Sequence, residues 1–328
     1  MPINFELKEA PKREDRLYPC ITYGGTLCGL QNRLGGGACF QDGSREFSQG
    51  SLCLLLPALA IINSFPNNVT LMHASVGCGS CLHSQNGSSR AGNLLRFGKI
   101  RDSIWVSTAL NEVDVISGGI EKLEKAIFEV DKTYNPKTIT VVTGCVPGII
   151  GDDVDGLINK MRGETSAVLI PVYCEGFKTK IWATAYDDMY HGLIKSVLDD
   201  PHGRERVVPH NIDDCRFEDL KKRRVNLCNI SSMSRLDELE LTRLLNALYL
   251  DVNIVPLYSD SEQLFNVKYA ALTISTCPTH DDYFLQFLKQ AYGIPYLLEH
   301  MPVEADSVVY SSLLWPVINT LIHLRDYS

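Results

Sequence analysis

The chain has 328 residues, of which 45% are hydrophobic and 21% charged, an ordinary balance with enough length for two cores. Its formal net charge of −8 argues against a nucleic-acid binder, which would carry a basic surplus. Met1–Arg16 is charged, and the longest apolar run, Leu52–Ile62, contains Pro57 and falls short of the roughly 20 residues a membrane span needs. The expectation is therefore a cytoplasmic protein without a signal peptide or membrane anchor.

In chain order, residues 1–50 hold Gly24, Gly25, Gly29, Gly35, Gly36, Gly37 and Gly43 without apolar periodicity. They read as an N-terminal arm that wraps the chain or meets a partner. From residue 52 strand and helix patterns alternate. Val69–Ala74 and Val113–Ser117 read as strands, and Gly119–Thr133 carries Ile120, Leu123, Ala126, Ile127 and Val130 at helical spacing. Thr138–Thr143 is a β-branched strand, Asp152–Met161 a helix and Ala167–Tyr173 a further strand. The polar stretch Asp199–Asp214, with Pro201, Gly203 and Pro209, makes the best boundary.

Beyond it the pattern restarts. Val225–Ile230 reads as a strand, and Leu236–Leu250 as a helix with Leu236, Leu239, Leu244, Leu245 and Leu248 inward. Val252–Leu257, Tyr269–Ser275 and Ile294–Leu298 read as strands, with a helix at Asp281–Tyr292. Repeated βα units of this kind predict an α/β fold: tandem Rossmann-like domains, 51–200 and 210–328, with parallel sheets flanked by helices. Function then belongs in the loops after the strand C-termini. There is neither a dinucleotide glycine fingerprint nor a GxxxxGK[ST] loop.

Eleven cysteines are too scattered for a disulfide framework and point to metal or redox use. Cys174, Cys215 and Cys228 read as small buried apolar residues. No role is assigned to Cys20, Cys28, Cys39 or Cys81. Three others sit in matching contexts: Cys53 opens the apolar segment Leu54–Ile62, Cys78 follows the strand 69–74, and Cys145 follows the strand 138–143. A strand end feeding a helix start presents backbone N–H groups that stabilise thiolates and anionic clusters. Gly77, Gly79, Gly144 and Gly148 let the backbone approach a bulky inorganic core. Cys78 and Cys81 form one CxxC without a second pair at zinc-ribbon spacing, which favours Fe–S over zinc. On residues alone, an Fe–S site and unrelated buried thiols both remain open.

The run His73–Cys78 resembles the "HGPxGC" motif of the nitrogenase component 1 superfamily. Cys145–Asp153 is similar to its "C…GLIGDD" signature, and Asn111–Leu123 to its "xExDIVFGGxKKL". The 25-residue separation of Cys53 and Cys78 suits that family too. The resemblance implies that Cys53, Cys78 and Cys145 meet three cysteines of a homologous β/N-type subunit around a shared P-cluster-like or [4Fe–4S] cluster. It also implies a heterotetramer, an ATP-dependent Fe-protein that delivers electrons, and a small-molecule substrate. Cys277, placed before Tyr292–Tyr296 as the family's cofactor cysteine is placed before "YGIPW", corresponds to the tether of a nitrogenase-type iron–sulfur cofactor.

The chain departs from dinitrogen-reducing subunits after Gly176-Phe177. Where the family reads "GFRGVSQSLGHH", Trp182 and Tyr186 stand near the Gln and His positions, and they are the candidate catalytic residues. Nitrogenase-like methylthio-alkane reductases are similar in outline, which implies reduction of organosulfur C–S bonds. Scaffold subunits for cofactor assembly share the same cysteine pattern, and a non-catalytic structural partner is the third reading. The resemblance also implies one more α/β domain than these residues supply.

Overall fold

A computed structural model describes residues 3–12, 26, 28–29, 53–178, 183–198, 221–228, 235–276, 280–298, 317–318 and 320. Helix α1 (Leu55–Ile62) leads into strand β1 (Asn68–His73). A 3₁₀ turn (Val76–Cys78) passes into the long helix α2 (Gly79–Phe97), then the edge strand β2 (Ile104–Ser107). Two helices follow, α3 (Glu112–Ser117) and α4 (Ile120–Tyr134), and then β3 (Thr138–Thr143). Helices α5 (Cys145–Ile150) and α6 (Val154–Met161) precede β4 (Val168–Tyr173). Helix α7 (Thr184–Leu193) closes this part and runs into a π-helical turn, Ile194–Leu198.

The strands pair in the order β2-β1-β3-β4, all parallel. Every residue of β1, β3 and β4 is buried, as expected where helices cover both faces of a parallel sheet. The β-branched run of β3 fits that setting, because its side chains pack on either face.

A second sheet uses β5 (Arg224–Cys228), β6 (Asp251–Val255), β7 (Leu272–Ser275) and β8 (Tyr296–Leu298), in the order β6-β5-β7-β8, again parallel. Its helices are α8 (Arg235–Ala247), α9 (Ser261–Phe265) and α10 (Asp282–Tyr292). The predicted α/β class with parallel sheets and flanking helices is therefore the class observed. One apolar cluster joins the two sheets: Leu55, Ile62, Met72, Ile170 and Tyr190 share it with Val255, Phe284 and Leu288. Among the described residues no helix is long and apolar enough to cross a membrane.

Some sequence expectations fail locally. Val113–Ser117 is a helix rather than a strand, because Asn111 caps it: its side chain accepts from Val113 and Asp114 N–H, and the Asp114 carboxylate accepts from Asn111 N–H. Strand β2 and helix α2 were not anticipated. In α8, Leu236 and Leu239 face solvent, whereas Leu241, Leu244 and Leu245 are buried. The inward face is rotated from the one expected and includes Glu238 in the first turn. Residues 3–12 lie against the rest of the chain, with Phe5 packed on Tyr283 and Phe287 at ring distances of 5.0 and 5.1 Å.

Candidate functional site

The C-terminal ends of β1, β3 and β4 converge on one edge of the first sheet, held in register by His73↔Thr143 and Thr143↔Tyr173 pairing. Each strand end there feeds a loop that carries chemistry. After β1, Ser75 starts the 3₁₀ turn, and Cys78 N–H donates to Ser75 O at 3.1 Å. After β3, Gly144 N–H donates to His73 O at 3.0 Å and sets Cys145 as the first residue of α5. After β4, Cys174 N–H donates to Thr143 O, and the chain turns through Glu175, Gly176 and Phe177. Cys53 enters the same edge from the start of α1.

The sulfurs meet over glycines. Gly176 N–H donates to Cys145 Sγ at 3.3 Å. A Cβ on Gly176 would stand 3.7 Å from Cys145 Sγ and 3.9 Å from Cys53 Sγ, so these two sulfurs flank one point. A Cβ on Gly144 would stand 3.8 Å from Cys78 Sγ and only 2.9 Å from Ala74 Cβ. Cys78 thus borders the residue that precedes Cys145. All three cysteines are half-buried and none is in a disulfide. Among the described residues no three His, Cys, Asp or Glu form a group able to hold a metal ion.

A buried polar layer lies beneath this edge. Glu175 is held between Thr143 Oγ1, which donates to its Oε1 at 3.4 Å, and the Lys178 ammonium, 3.0 Å from its Oε2. Lys178 also donates to Glu9 at 2.5 Å. Burial raises the Glu175 carboxyl above the usual range even though Lys178 pulls it down. Burial, and then the neighbouring Asp188, push the Cys174 thiol up, so Cys174 is an inert core residue as the sequence suggested; Cys228 is likewise buried. Glu175 and the Gly176 donor escaped sequence reasoning. The only signal was their adjacency to the "GF" that begins the aligned stretch.

Where α7 meets the second half of the chain, Tyr186 of α7 is half-buried and stacks on His280 at 4.2 Å with rings 7° apart. Nearby, Asp281 accepts from Tyr190 Oη at 2.5 Å and from Ser275 Oγ at 2.6 Å. Trp182 and Cys277 lie outside the described residues, as do Cys20, Cys39 and Cys215. The backbone of Cys81 is helical in α2, and Cys28 is exposed.

Comparison with known proteins gives this arrangement a family. Residues 53–309 match the family model described as Nitrogenase component 1 type Oxidoreductase. The chain is 28% identical over 248 residues to the nitrogenase iron-molybdenum cofactor biosynthesis protein NifE of Clostridium pasteurianum, covering 75% of this chain and 49% of that one. It is 33% identical over 141 residues to NifE of Methanococcus maripaludis, covering 43% and 28%. It is 31% identical over 115 residues to the nitrogenase molybdenum-iron protein alpha chain of Methanosarcina barkeri, covering 34% and 20%. The solved structure described as "Nitrogenase Cp1 at pH 6.5" shares the fold, with a TM-score of 0.59 at 19% identity over 76% of this chain and 45% of that one. The matched region spans about half the length of these relatives or less.

Proposed function

Because the chain belongs to the nitrogenase component 1 type oxidoreductase family, we propose that it is an Fe–S cluster-bearing subunit whose Cys53, Cys78 and Cys145 form half of a site completed by a homologous partner subunit. The observation that carries this reading is the convergence of the sulfurs over Gly144 and Gly176. Cys53 and Cys145 flank a position where no Cβ stands, Cys78 borders the next glycine, and a backbone N–H points at Cys145 Sγ. The donor set suits such a group: three thiols, half-buried, with glycine backbone where bulk would obstruct it.

A bound cluster would supply one-electron storage at low potential. The chain's own residues orient and desolvate it. Gly176 N–H stabilises negative charge on Cys145 Sγ, and the strand ends of β1, β3 and β4 fix the spacing of the loops. The surroundings support a partner at this edge. Val76, Ile149 and Phe177 stand on the loops of Cys78, Cys145 and Gly176 and are 69%, 72% and 56% exposed, and Ile116 on α3 is exposed as well. An apolar rim of this kind belongs to a surface that another protein covers.

The resemblance supports a finer reading. An ATP-dependent Fe-protein supplies electrons, and a small substrate, of the organosulfur class, is reduced at a cofactor tethered by Cys277, with Trp182 and Tyr186 as the candidate catalytic residues. The names of the NifE relatives favour a second reading, a scaffold on which a cofactor is assembled. Anaerobic purification with the partner subunit, followed by iron, sulfide, molybdenum and vanadium analysis, tests the first level. Iron and sulfide are expected, and each Cys→Ser change at 53, 78 or 145 should lower both. A complex without iron, or one whose iron survives all three changes, overturns the half-site. Multi-electron turnover with a reducing partner then separates reductase from scaffold.

A further inference from the structure

Beneath the cysteine loops lies a polar contact that the half-site reading leaves unused. His73, the last residue of β1, is fully buried, and its Nε2 is 2.9 Å from Asp152 Oδ2. Burial pushes the His73 imidazole below its ordinary range, although Asp152 pulls it up, so it stands neutral. Since a carboxylate only accepts, Nε2 carries the proton and Nδ1 accepts from Thr108 Oγ1 at 3.2 Å. The same Asp152 carboxylate accepts the Gly119 N–H, at 3.1 and 3.2 Å to its two oxygens. A Cβ on Gly119 would lie 2.8 Å from Asp152 Oδ2, 2.9 Å from His73 Cε1 and 2.9 Å from Leu110 Cδ2. The backbone approaches this closely only because residue 119 is glycine.

We propose, building on the half-site reading, that Asp152 is a positioning residue for the cysteine site, a clamp that locks the loops of Cys78 and Cys145 to each other and to helix α3. Each arm reaches a different part of the site. His73 is the base of the loop that carries Cys78, and its carbonyl also accepts the Gly144 N–H next to Cys145. Asp152 closes the segment that Cys145 opens, its N–H donating to Pro147 O at 3.1 Å. Gly119 follows α3, which packs against α5 and exposes Val113 and Ile116. Leu110, just before α3, donates its N–H to Ala74 O at 3.0 Å and so rests on the Cys78 loop as well. A shift of α3 under a docked partner therefore reaches both cysteine loops through one carboxylate. Cys53 enters from α1, outside this set of contacts.

The test needs no bound cluster. In metal-free, reduced protein, the alkylation rates of individual cysteines are followed by mass spectrometry for wild type, Asp152→Ala, Asp152→Asn and Gly119→Ala. Asp152→Ala should speed modification of Cys78 and Cys145 about tenfold through local opening, leaving Cys53 and the buried Cys174 at wild-type rates. Asp152→Asn should restore slow rates, because its carbonyl still accepts from Gly119 while His73 takes the other tautomer and donates from Nδ1 to Thr108. Gly119→Ala, which forces the clamp apart without removing a polar group, should reproduce the Ala effect and carries the test if Asp152→Ala does not fold. Unchanged rates at Cys78 and Cys145, or equal acceleration at all four cysteines, overturn the clamp. With the partner present, the iron-loaded Asp152→Ala complex should show an altered EPR line shape and Asp152→Asn a native one. A wild-type complex without iron refutes the half-site reading, while the selective alkylation pattern still decides the clamp.

Discussion

Two glycines of the cysteine edge face sulfur, and they differ in what a methyl group would meet. Among the described residues, an added Cβ at Gly176 finds only the Sγ atoms of Cys145 and Cys53, at ordinary contact distances of 3.7 and 3.9 Å. At Gly144 it lands 2.9 Å from Ala74 Cβ, held on a buried strand end. Gly176→Ala should therefore leave folding stability within about 0.5 kcal/mol of wild type while lowering iron retention in the complex. Gly144→Ala should lose about 1–3 kcal/mol to overpacking as well. Urea denaturation and iron analysis of the two variants check the contrast, and equal iron retention would mean that the space over Gly176 is not used. At this scale the sequence was most informative. Cys78 and Cys145 stand at strand ends where the strand pattern put them, and Cys174 and Cys228 are buried thiols as their apolar surroundings suggested. The Gly176 donor and the Asp152 carboxylate were not legible, because hydrogen bonds between segments 30 to 80 residues apart leave no periodicity.

Helix α3 shows how an element can be misread. The apolar residues Val113, Val115 and Ile116 suggest a buried strand, yet in the structure all three are exposed. The deciding chemistry is local: the Asn111 side chain and the Asp114 carboxylate satisfy the first N–H groups of the turn in both directions. Helix α4 carried a stronger signal, since Leu123, Ile127 and Val130 fall on one buried face. For α8 the register of the inward face slipped. Leu236 and Leu239 look apolar in sequence yet lie 81% and 47% exposed, whereas Glu238 between them is buried and paired with Arg96. If the cap holds α3 in shape, Asn111→Ala should cost about 1 kcal/mol and Asn111→Asp much less, because Asp also accepts from the first turn. Thermal melts of the two variants would show it, and equal loss in both would argue that the side-chain oxygen is not the source.

Across the whole molecule, the two sheets are tied by one continuous apolar cluster and by residues 3–12, a connection that the aperiodic sequence of that segment could not reveal. Besides Phe5 on Tyr283 and Phe287 and the Glu9–Lys178 pair, the segment is fastened at one histidine that can titrate. His191 on α7 lies between Tyr283 of α10, 2.6 Å from Nδ1, and the carbonyl of Leu7, 2.9 Å from Nε2. A carbonyl only accepts, so Nε2 donates to Leu7 O and Nδ1 receives the Tyr283 hydroxyl proton. Protonating Nδ1 would set a cation against a hydroxyl in a buried setting. Burial, with Lys195 adding like charge, accordingly brings this imidazole down to about 4. The sign follows from linkage. Between about 6.5 and 4 the unfolded chain binds a proton at this residue and the native chain does not, so native stability falls as pH drops through that window. The loss from this one group is about 3 kcal/mol by pH 4. His191→Gln keeps a donor for Leu7 O but cannot titrate. Its stability at pH 7 should be lower than wild type, and its decline from pH 7 to pH 4.5 distinctly shallower. Urea midpoints measured across that range decide the matter: parallel declines in the two proteins would mean that the proton uptake lies elsewhere. If the shallower slope is found, the N-terminal segment should also become protease-sensitive in wild type below pH 5, because protonation weakens the contact that anchors Leu7 to both halves of the fold.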